Sequence, residues 1–316
     1  MNYNLYKRFN LIFLTLILIL LTSCTPQNGT TKIKLYTNEV QNVSEPSKYG
    51  EDTLIIAIAS VVSPKESLEK YQGLVAYLEE KLGQPVKVIQ KQTYSEVNQL
   101  LKDGNADITL TCSLAYRIGS KEGYMEGLVA PVVKGESLYQ SYIITNKNNP
   151  YDSLDDLKGK KFAFVDPISY SGRLSVLDML NEKGYKADTF FEKTFYTYSH
   201  DYSLLAAANN VVDGAAIDSL LFDQLLLEQN PDVQNLKIIG KGELAGTPPI
   251  VMKDDLDPTL KAKLRDVILS LEEDRNGQKI LKSLGIDKYA DVNENNYKII
   301  DDLIDQFGEQ LYETTK

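Results

Sequence analysis

Histidine occurs once in these 316 residues, at position 200, tryptophan not at all, and cysteine twice, at Cys24 and Cys112. A catalytic triad needs a nucleophile, a base and an orienting group, and a zinc centre usually takes several His or Cys ligands. A single histidine favours neither, so the sequence is read as having no catalytic residue, no metal site and no cofactor. Two cysteines cannot build a disulfide framework or a multi-cysteine metal site. Basic residues are in deficit, 34 against 44 acidic, and the net charge of −10 argues against a general nucleic-acid surface. A small charged ligand stays open, because a local site can be positive within an acidic protein.

One long apolar run exists, Leu11 to Leu21, broken only by Thr15 and preceded by Lys7 and Arg8. A comfortable membrane span needs about 20 residues, so this run reads as the apolar core of a signal peptide over residues 1–23. "LTSC", Leu21 to Cys24, resembles a bacterial lipobox, in which cleavage precedes the cysteine and the cysteine carries lipid. An ordinary signal peptide or an uncleaved anchor is the alternative. Residues 24–50 are rich in Thr, Asn, Gln, Ser and Pro without a sustained apolar period, and read as a flexible tether from lipidated Cys24.

The remainder is long enough to bury a sizeable core in two lobes. "DTLIIAIAS" reads as a buried strand, and in the following helix Leu68, Tyr71, Leu74, Val75, Leu78 and Leu82 share one face before Gly83 stops it. Strands over "PVKVIQ", "ADITLTC", "GLVAPVV" and "LYQSYIIT" alternate with helices over 95–104 and 113–123. The pattern restarts at 153–160 and runs through the strands "KFAFVDP", "FEKTFYTY", "DGAAID", "LKIIG" and "PPIVMKDD", with helices over 171–185, 201–211 and 219–229. Helices are expected over 257–274, 277–284 and 293–313. Such alternation predicts an α/β fold in which each lobe is a mostly parallel sheet flanked by helices, with the ligand in the cleft. Lobe one is expected at 51–140 plus 248–316 and lobe two at 141–247, joined by crossover strands near 138–146 and 244–252.

In open parallel sheets, ligands sit beyond the carboxyl ends of the strands. Polar clusters fall at such ends: Ser60, Thr111 to Ser113, Ser169 to Gly172, Ser199 to Asp201, and Asp218. "SYSG", 169–172, stands between a strand and a helix. A helix start offers unpaired N–H groups and partial positive charge, on which an anion can dock. Ser169 and Ser171 can donate hydroxyl protons, and Gly172 admits close approach of the backbone. One of the serines could instead serve as an N-cap, and the two readings stand side by side. His200 either donates to a bound oxyanion, its protonation then being linked to the ligand, or plays a surface or capping role. Asp218 either accepts a proton from a ligand or caps the helix starting at Ser219. Tyr94 could cover a ligand or pack; with 20 tyrosines, any single one is weak evidence. Cys112 has no base near it in sequence and reads as structural.

Taken together, residues 52–285 resemble periplasmic phosphate/phosphite/phosphonate-binding proteins of ABC transporters, of the type II periplasmic binding protein fold. The segments that carry the likeness are 69–110, "SLDDLKGKKFAFVDPISYSG" and "YSHDYSLLAAANNVVDGAAIDS". The resemblance implies that Ser169, Tyr170 and Ser171 cradle the oxyanion with backbone N–H groups. It implies that His200 binds it, that Tyr94 and Thr111 face it, with Ser113 in the same turn, and that Asp218 lies close by. It further implies no enzymatic step, and a lipid-anchored monomer on the outer face of the cell membrane that partners an ABC permease; an extracytoplasmic sensor domain, or a binder of another small solute, is the alternative. Three departures stand out: Tyr170 replaces a threonine, "LTCSLAY" replaces an aromatic-Gly-Pro-Leu-Ser turn, and Pro248 stands where many phosphonate binders have an aspartate.

Overall fold

A computed structural model describes residues 52–59 and 64–311. The leader, Cys24, the tether and Ser60 lie outside the described residues. Within them, no helix is long and apolar enough to cross a membrane.

The first sheet grows around Leu54–Ala59 (β1), whose side chains are almost all buried because both faces are covered. Pro64–Leu82 (α1) returns the chain to Val86–Lys91 (β2), and Tyr94–Lys102 (α2) returns it to Ile108–Leu110 (β3). β2 and β3 both pair parallel with β1, as βαβ crossovers require. Ser113–Lys121 (α3) then leads to Met125–Val132 (β4). One face of the sheet buries Leu74, Leu78 and Leu82 of α1 against Ile56, Ile58 and Leu110.

Ser141–Asn146 (β6) begins the second sheet after a short strand, Leu138–Tyr139 (β5). Lys161–Phe164 (β7) follows, then a π-helical turn, Tyr170–Leu174, that runs directly into Ser175–Asn181 (α4). Next come Ala187–Phe190 (α5), Lys193–Tyr196 (β8), His200–Ala208 (α6), Gly214–Asp218 (β9), Ser219–Leu227 (α7), Pro231–Gln234 (α8) and Leu236–Lys241 (β10). The strand order is β10-β6-β9-β7-β8, and the β7–β8 and β7–β9 pairs are parallel.

The chain crosses back through Ala245–Gly246 (β11) and rejoins the first sheet as Ile250–Lys253 (β12), between β3 and β4. Pro258–Leu269 (α9), Arg275–Leu284 (α10), Lys288–Ala290 (β13) and Lys298–Phe307 (α11) complete it. Both sheets are mixed. The strands linked by helical crossovers pair parallel, whereas β12 runs antiparallel to β3 and β4, and β6 antiparallel to β9 and β10. The two crossing segments pair with each other, β5 against β11, with Tyr139 opposite Ala245.

Several local features differ from the sequence expectation, among them the helix expected over 293–313, which is a 3-10 turn at Glu294–Tyr297 followed by α11, and the short helices α5 and α8, which were not expected. The strand expected over 138–145 breaks at Gln140, whose N–H leaves the ladder to donate to Ser219 Oγ at 3.1 Å. The helix expected from 171 opens instead as a wider turn, with Leu174 N–H reaching Ser169 O at 3.0 Å. β13 was expected as neither strand nor helix, because three residues carry no period.

Candidate functional site

On the side of the first sheet, two helices start at the strand ends. α2 is closed at its start by a capping box between Thr93 and Glu96, so Tyr94 is its first residue. α3 starts at Ser113, and the Cys112 sulphur caps it, accepting from Ala115 N–H at 3.4 Å. Ser113 Oγ donates to Gly246 O at 2.6 Å, which ties this helix start to the crossing strand β11. Thr111, at the end of β3, is buried, and its Oγ1 finds no hydrogen-bond partner among the described residues.

On the side of the second sheet, Ser169 Oγ accepts from Gly172 N–H at 3.0 Å, so Ser169 is the cap of the π turn. Gly172 has no room for a side chain: a Cβ there would stand 2.5 Å from Val165 Cβ. The Tyr170 side chain points away from the helix start, its hydroxyl donating to Glu243 O at 2.7 Å and its ring lying 5.9 Å from that of Tyr139. This leaves only the Tyr170 main chain at the turn's opening, which is how a bulky residue is accommodated there. Ser171 is buried, and its carbonyl accepts from Ser141 Oγ at 2.6 Å.

His200 is the first residue of α6, and its Nδ1 accepts from Asp218 N–H at 3.1 Å. An accepting Nδ1 is unprotonated, so the proton of the neutral ring sits on Nε2. Burial pushes the imidazole down to about 3. The buried ring is therefore neutral here and offers one N–H donor, Nε2–H. Asp218 caps α7, accepting from Leu220 N–H at 2.6 Å and Leu221 N–H at 3.3 Å. Burial pushes its carboxyl up to about 6, against the pull of those N–H groups and of Lys70.

Contacts between the two sides bring these residues together. Cys112 Sγ donates to Ile168 O at 3.0 Å. Asp166, at the end of β7, accepts from Ile168 N–H at 2.9 Å and from Tyr94 N–H, at the start of α2, at 3.2 Å. Burial pushes the Asp166 carboxyl up to about 6 as well. It pushes the Cys112 thiol up to about 12, while the main-chain N–H groups of Ala115, Tyr170 and Leu114 pull the other way. Cys112 thus links the start of α3 to the loop that leads into the π turn. Burial also raises the Tyr94 phenol, with the charges of Cys112, Asp166, Tyr139 and Asp218 adding to it.

Sequence reasoning passed over Tyr139 and Asp166. Tyr139 is buried in β5 at the centre of this region, and its hydroxyl lies by Ser113 without a hydrogen bond in good geometry. Its role comes from the pairing of the crossing strands, which leaves no local signal. Asp166 did have one, a carboxylate at the same strand end as "SYSG". Cys112, read as structural, does cap a helix, and it does so at the joint between the two sides.

Two mixed α/β sheets connected by paired crossing strands, with helix starts meeting at the joint, place the chain in the class of type II periplasmic binding proteins. Residues 56–297 match the family described as "ABC transporter, phosphonate, periplasmic substrate-binding protein", and the chain belongs to that family of transporter components, which are not enzymes. It is 26% identical over 243 residues to the phosphonates-binding periplasmic protein of Escherichia coli, covering 74% of this chain and 71% of that one. It is 27% identical over 225 residues to the phosphate-import protein PhnD of Mycolicibacterium smegmatis, covering 68% of this chain and 70% of that one. Among solved structures, PhnD1 of Prochlorococcus marinus in complex with methylphosphonate superposes with a TM-score of 0.75 at 18% identity, over 84% of this chain and 100% of the other.

Proposed function

We propose that this chain is the lipid-anchored, extracytoplasmic binding component of an ABC transporter, and that it takes a phosphonate into the joint between its two sheets. The observation that supports the reading is the meeting of helix starts from both sides at the joint, where Cys112 Sγ accepts from Ala115 N–H and donates to Ile168 O, and Asp166 accepts from Tyr94 N–H. An anion is stabilised by such N–H groups and by the partial charge of the helix ends. Ser171 Oγ, His200 Nε2–H, Thr111 Oγ1 and the Tyr94 and Tyr139 phenols add donors. Ser169 and Ser113 hold the helix starts in place, Gly172 lets the turn approach β7, and Asp218 holds His200 in its tautomer. Residues 51–140 plus 248–316 form one lobe and 141–247 the other, and closure pivots on the β5–β11 pair. The chain acts as a monomer and delivers its ligand to a membrane permease. Cys24, at the end of "LTSC", carries the lipid that keeps it at the outer face of the membrane.

Calorimetry on the mature chain with methylphosphonate, phosphite, phosphate and sulfate tests the ligand class. The expected result is saturable binding of methylphosphonate with a radius of gyration that falls on saturation. Heat from none of the phosphorus oxyanions would sink the reading. Intact-mass analysis of the membrane fraction tests the anchor, and a mature N-terminus downstream of Cys24 without lipid would remove it.

A further inference from the structure

A cavity of about 130 Å³ opens from the proposed oxyanion site, sharing Thr111 and Asp218 with it. Beyond those two residues its wall is largely hydrocarbon, including Leu110, Pro131, Leu220, Leu221, Pro248 and Ile250. It draws on both lobes, and at its edge Lys70 Nζ donates to Gln224 Oε1 at 3.0 Å, from α1 to α7. Phosphate and phosphite would leave this space unfilled. Protein interiors are close-packed, and an apolar void forfeits dispersion contacts along its whole lining.

We propose that the cavity receives the organic substituent of the ligand, and that this substituent is uncharged and apolar, with about four to six non-hydrogen atoms. The inference rests on the phosphonate reading above and narrows it. Size comes first: an apolar cavity of about 150 Å³ is known to accommodate benzene, and the one here is nearly that large. Lining comes second. Proline offers no N–H, and Pro131, Pro248 and Pro249 supply part of the wall; the polar side chains on it, Lys70, Tyr71, Gln224 and Tyr289, are outnumbered by hydrocarbon, and Lys70 and Gln224 already bond to each other, so a polar tail would lose water for few partners. Charge comes third. Asp218, the carboxylate on the cavity wall, already accepts two N–H groups from the start of α7, and the Lys70 ammonium stands at the edge. An ammonium tail meets a like charge in Lys70 and, in Asp218, a carboxylate whose Oδ1 already accepts two N–H groups and on which Lys70 already acts.

The test is calorimetry with methyl-, propyl-, butyl- and phenylphosphonate, together with 2-aminoethylphosphonate, which matches the propyl compound in size but ends in an ammonium. Affinity is expected to rise roughly fourfold per methylene from methyl to butyl, equivalent to about 0.8 kcal/mol each. Propylphosphonate should bind at least about tenfold tighter than its aminoethyl counterpart, since an ammonium needs a partner when buried. Val133 lines the cavity, half-buried, and Val133→Phe should flatten or reverse the chain-length series; Leu221→Phe serves the same purpose if the first variant melts early. A flat series with methylphosphonate still bound would overturn the tail site and leave the oxyanion reading standing. Tighter binding of the aminoethyl compound would overturn the apolar class. A series that survives in a well-folded filling variant would move the tail elsewhere. Binding of no phosphonate would overturn this inference and the function together.

Discussion

The main-chain N–H of Asp218 donates to Nδ1 of His200; His200 opens α6, and Asp218 ends β9 and caps α7. This one bond decides how the histidine can act. With Nδ1 occupied as acceptor and the ring held near a pKa of about 3, His200 is a neutral Nε2–H donor throughout the physiological range. A hydrogen bond to a charged group contributes about 1.5–3 kcal/mol, so His200→Ala should weaken phosphonate binding by about 10- to 150-fold. The shape of the affinity profile between pH 6 and 8 should be the same in variant and parent once the ligand's own ionisation is divided out. A pH dependence that disappears with the histidine would restore the imidazolium.

Asp218 should supply the proton linkage that His200 does not. Burial holds its carboxyl at about 6 in the unliganded protein, so at pH 7 it is mostly ionised. An anion placed beside it disfavours the charged form and raises the pKa further. Binding at pH 7 should therefore take up a fraction of a proton, and affinity corrected for ligand ionisation should fall as pH rises through about 6 and above. Calorimetry in buffers of different ionisation enthalpy measures the uptake directly. Asp218→Asn should lower it; an unchanged uptake would place the carboxylate away from the anion.

Asp166 makes a corresponding statement about stability. Its folded pKa is raised to about 6 by burial, above the ordinary value of 3.8. The folded state therefore binds this proton more tightly than the unfolded chain does. The linked stabilisation is fully present below about 4 and is lost as pH rises through about 6, with a total on the order of 3 kcal/mol. The difference in unfolding free energy between parent and Asp166→Asn should shift toward the parent as pH falls from 7 to 4. A difference independent of pH would mean that the carboxyl is not perturbed. The same variant keeps one acceptor for the two N–H groups that Asp166 serves, those of Ile168 and Tyr94, so it should also lose a fixed increment of stability at every pH, and only the pH-dependent part of the difference reports the carboxyl.

The two serines of "SYSG" separate on different axes. Ser169 Oγ accepts from Gly172 N–H while its own O–H remains to be placed; if the cap is its whole role, Ser169→Ala should cost about 1 kcal/mol of stability and leave the dissociation constant nearly unchanged. Ser171 has no such capping bond. Ser171→Ala should weaken phosphonate binding by about 10- to 150-fold with little change in melting. Paired melting curves and titrations check both; equal losses of affinity would mean that the Ser169 hydroxyl turns to the ligand.

The alternation of strands and helices was legible because β1, β7 and β9 are short apolar runs at strand length, and α1 keeps its leucines on one face. What stayed hidden depends on contacts distant in sequence. The break at Gln140 is set by Ser219, 79 residues away, and Tyr139 became central only through the pairing of β5 with β11. The candidate site was legible as a set of strand ends, because topology forces such ends together. The division of labour within it was not. The cap that Ser169 makes to Gly172 N–H was one of the readings the local pattern allowed, whereas the nitrogen of His200 that accepts is set by Asp218 N–H, 18 residues away.

Gly172 offers the sharpest test of how tightly the turn is built. A Cβ at this position would stand 2.5 Å from Val165 Cβ, 2.7 Å from Val165 Cγ2 and 2.8 Å from Ser169 Oγ. The backbone is also fixed on this side, since Val165 N–H donates to Gly172 O at 3.1 Å. Gly172→Ala should therefore destabilise by about 1–3 kcal/mol through overpacking. It should also weaken phosphonate binding, because the turn can relieve the clash only by moving its N–H groups. Trimming the neighbour discriminates between this and a general loss of packing. Val165→Ala removes Cγ2 but keeps the closest atom, so the Gly172→Ala/Val165→Ala double variant should remain as weak a binder as Gly172→Ala alone. Val165→Gly in the same background should recover part of the affinity while lowering the melting temperature. Recovery in the alanine double variant would show that the turn tolerates a Cβ, and that Gly172 is not what brings its N–H groups to the ligand.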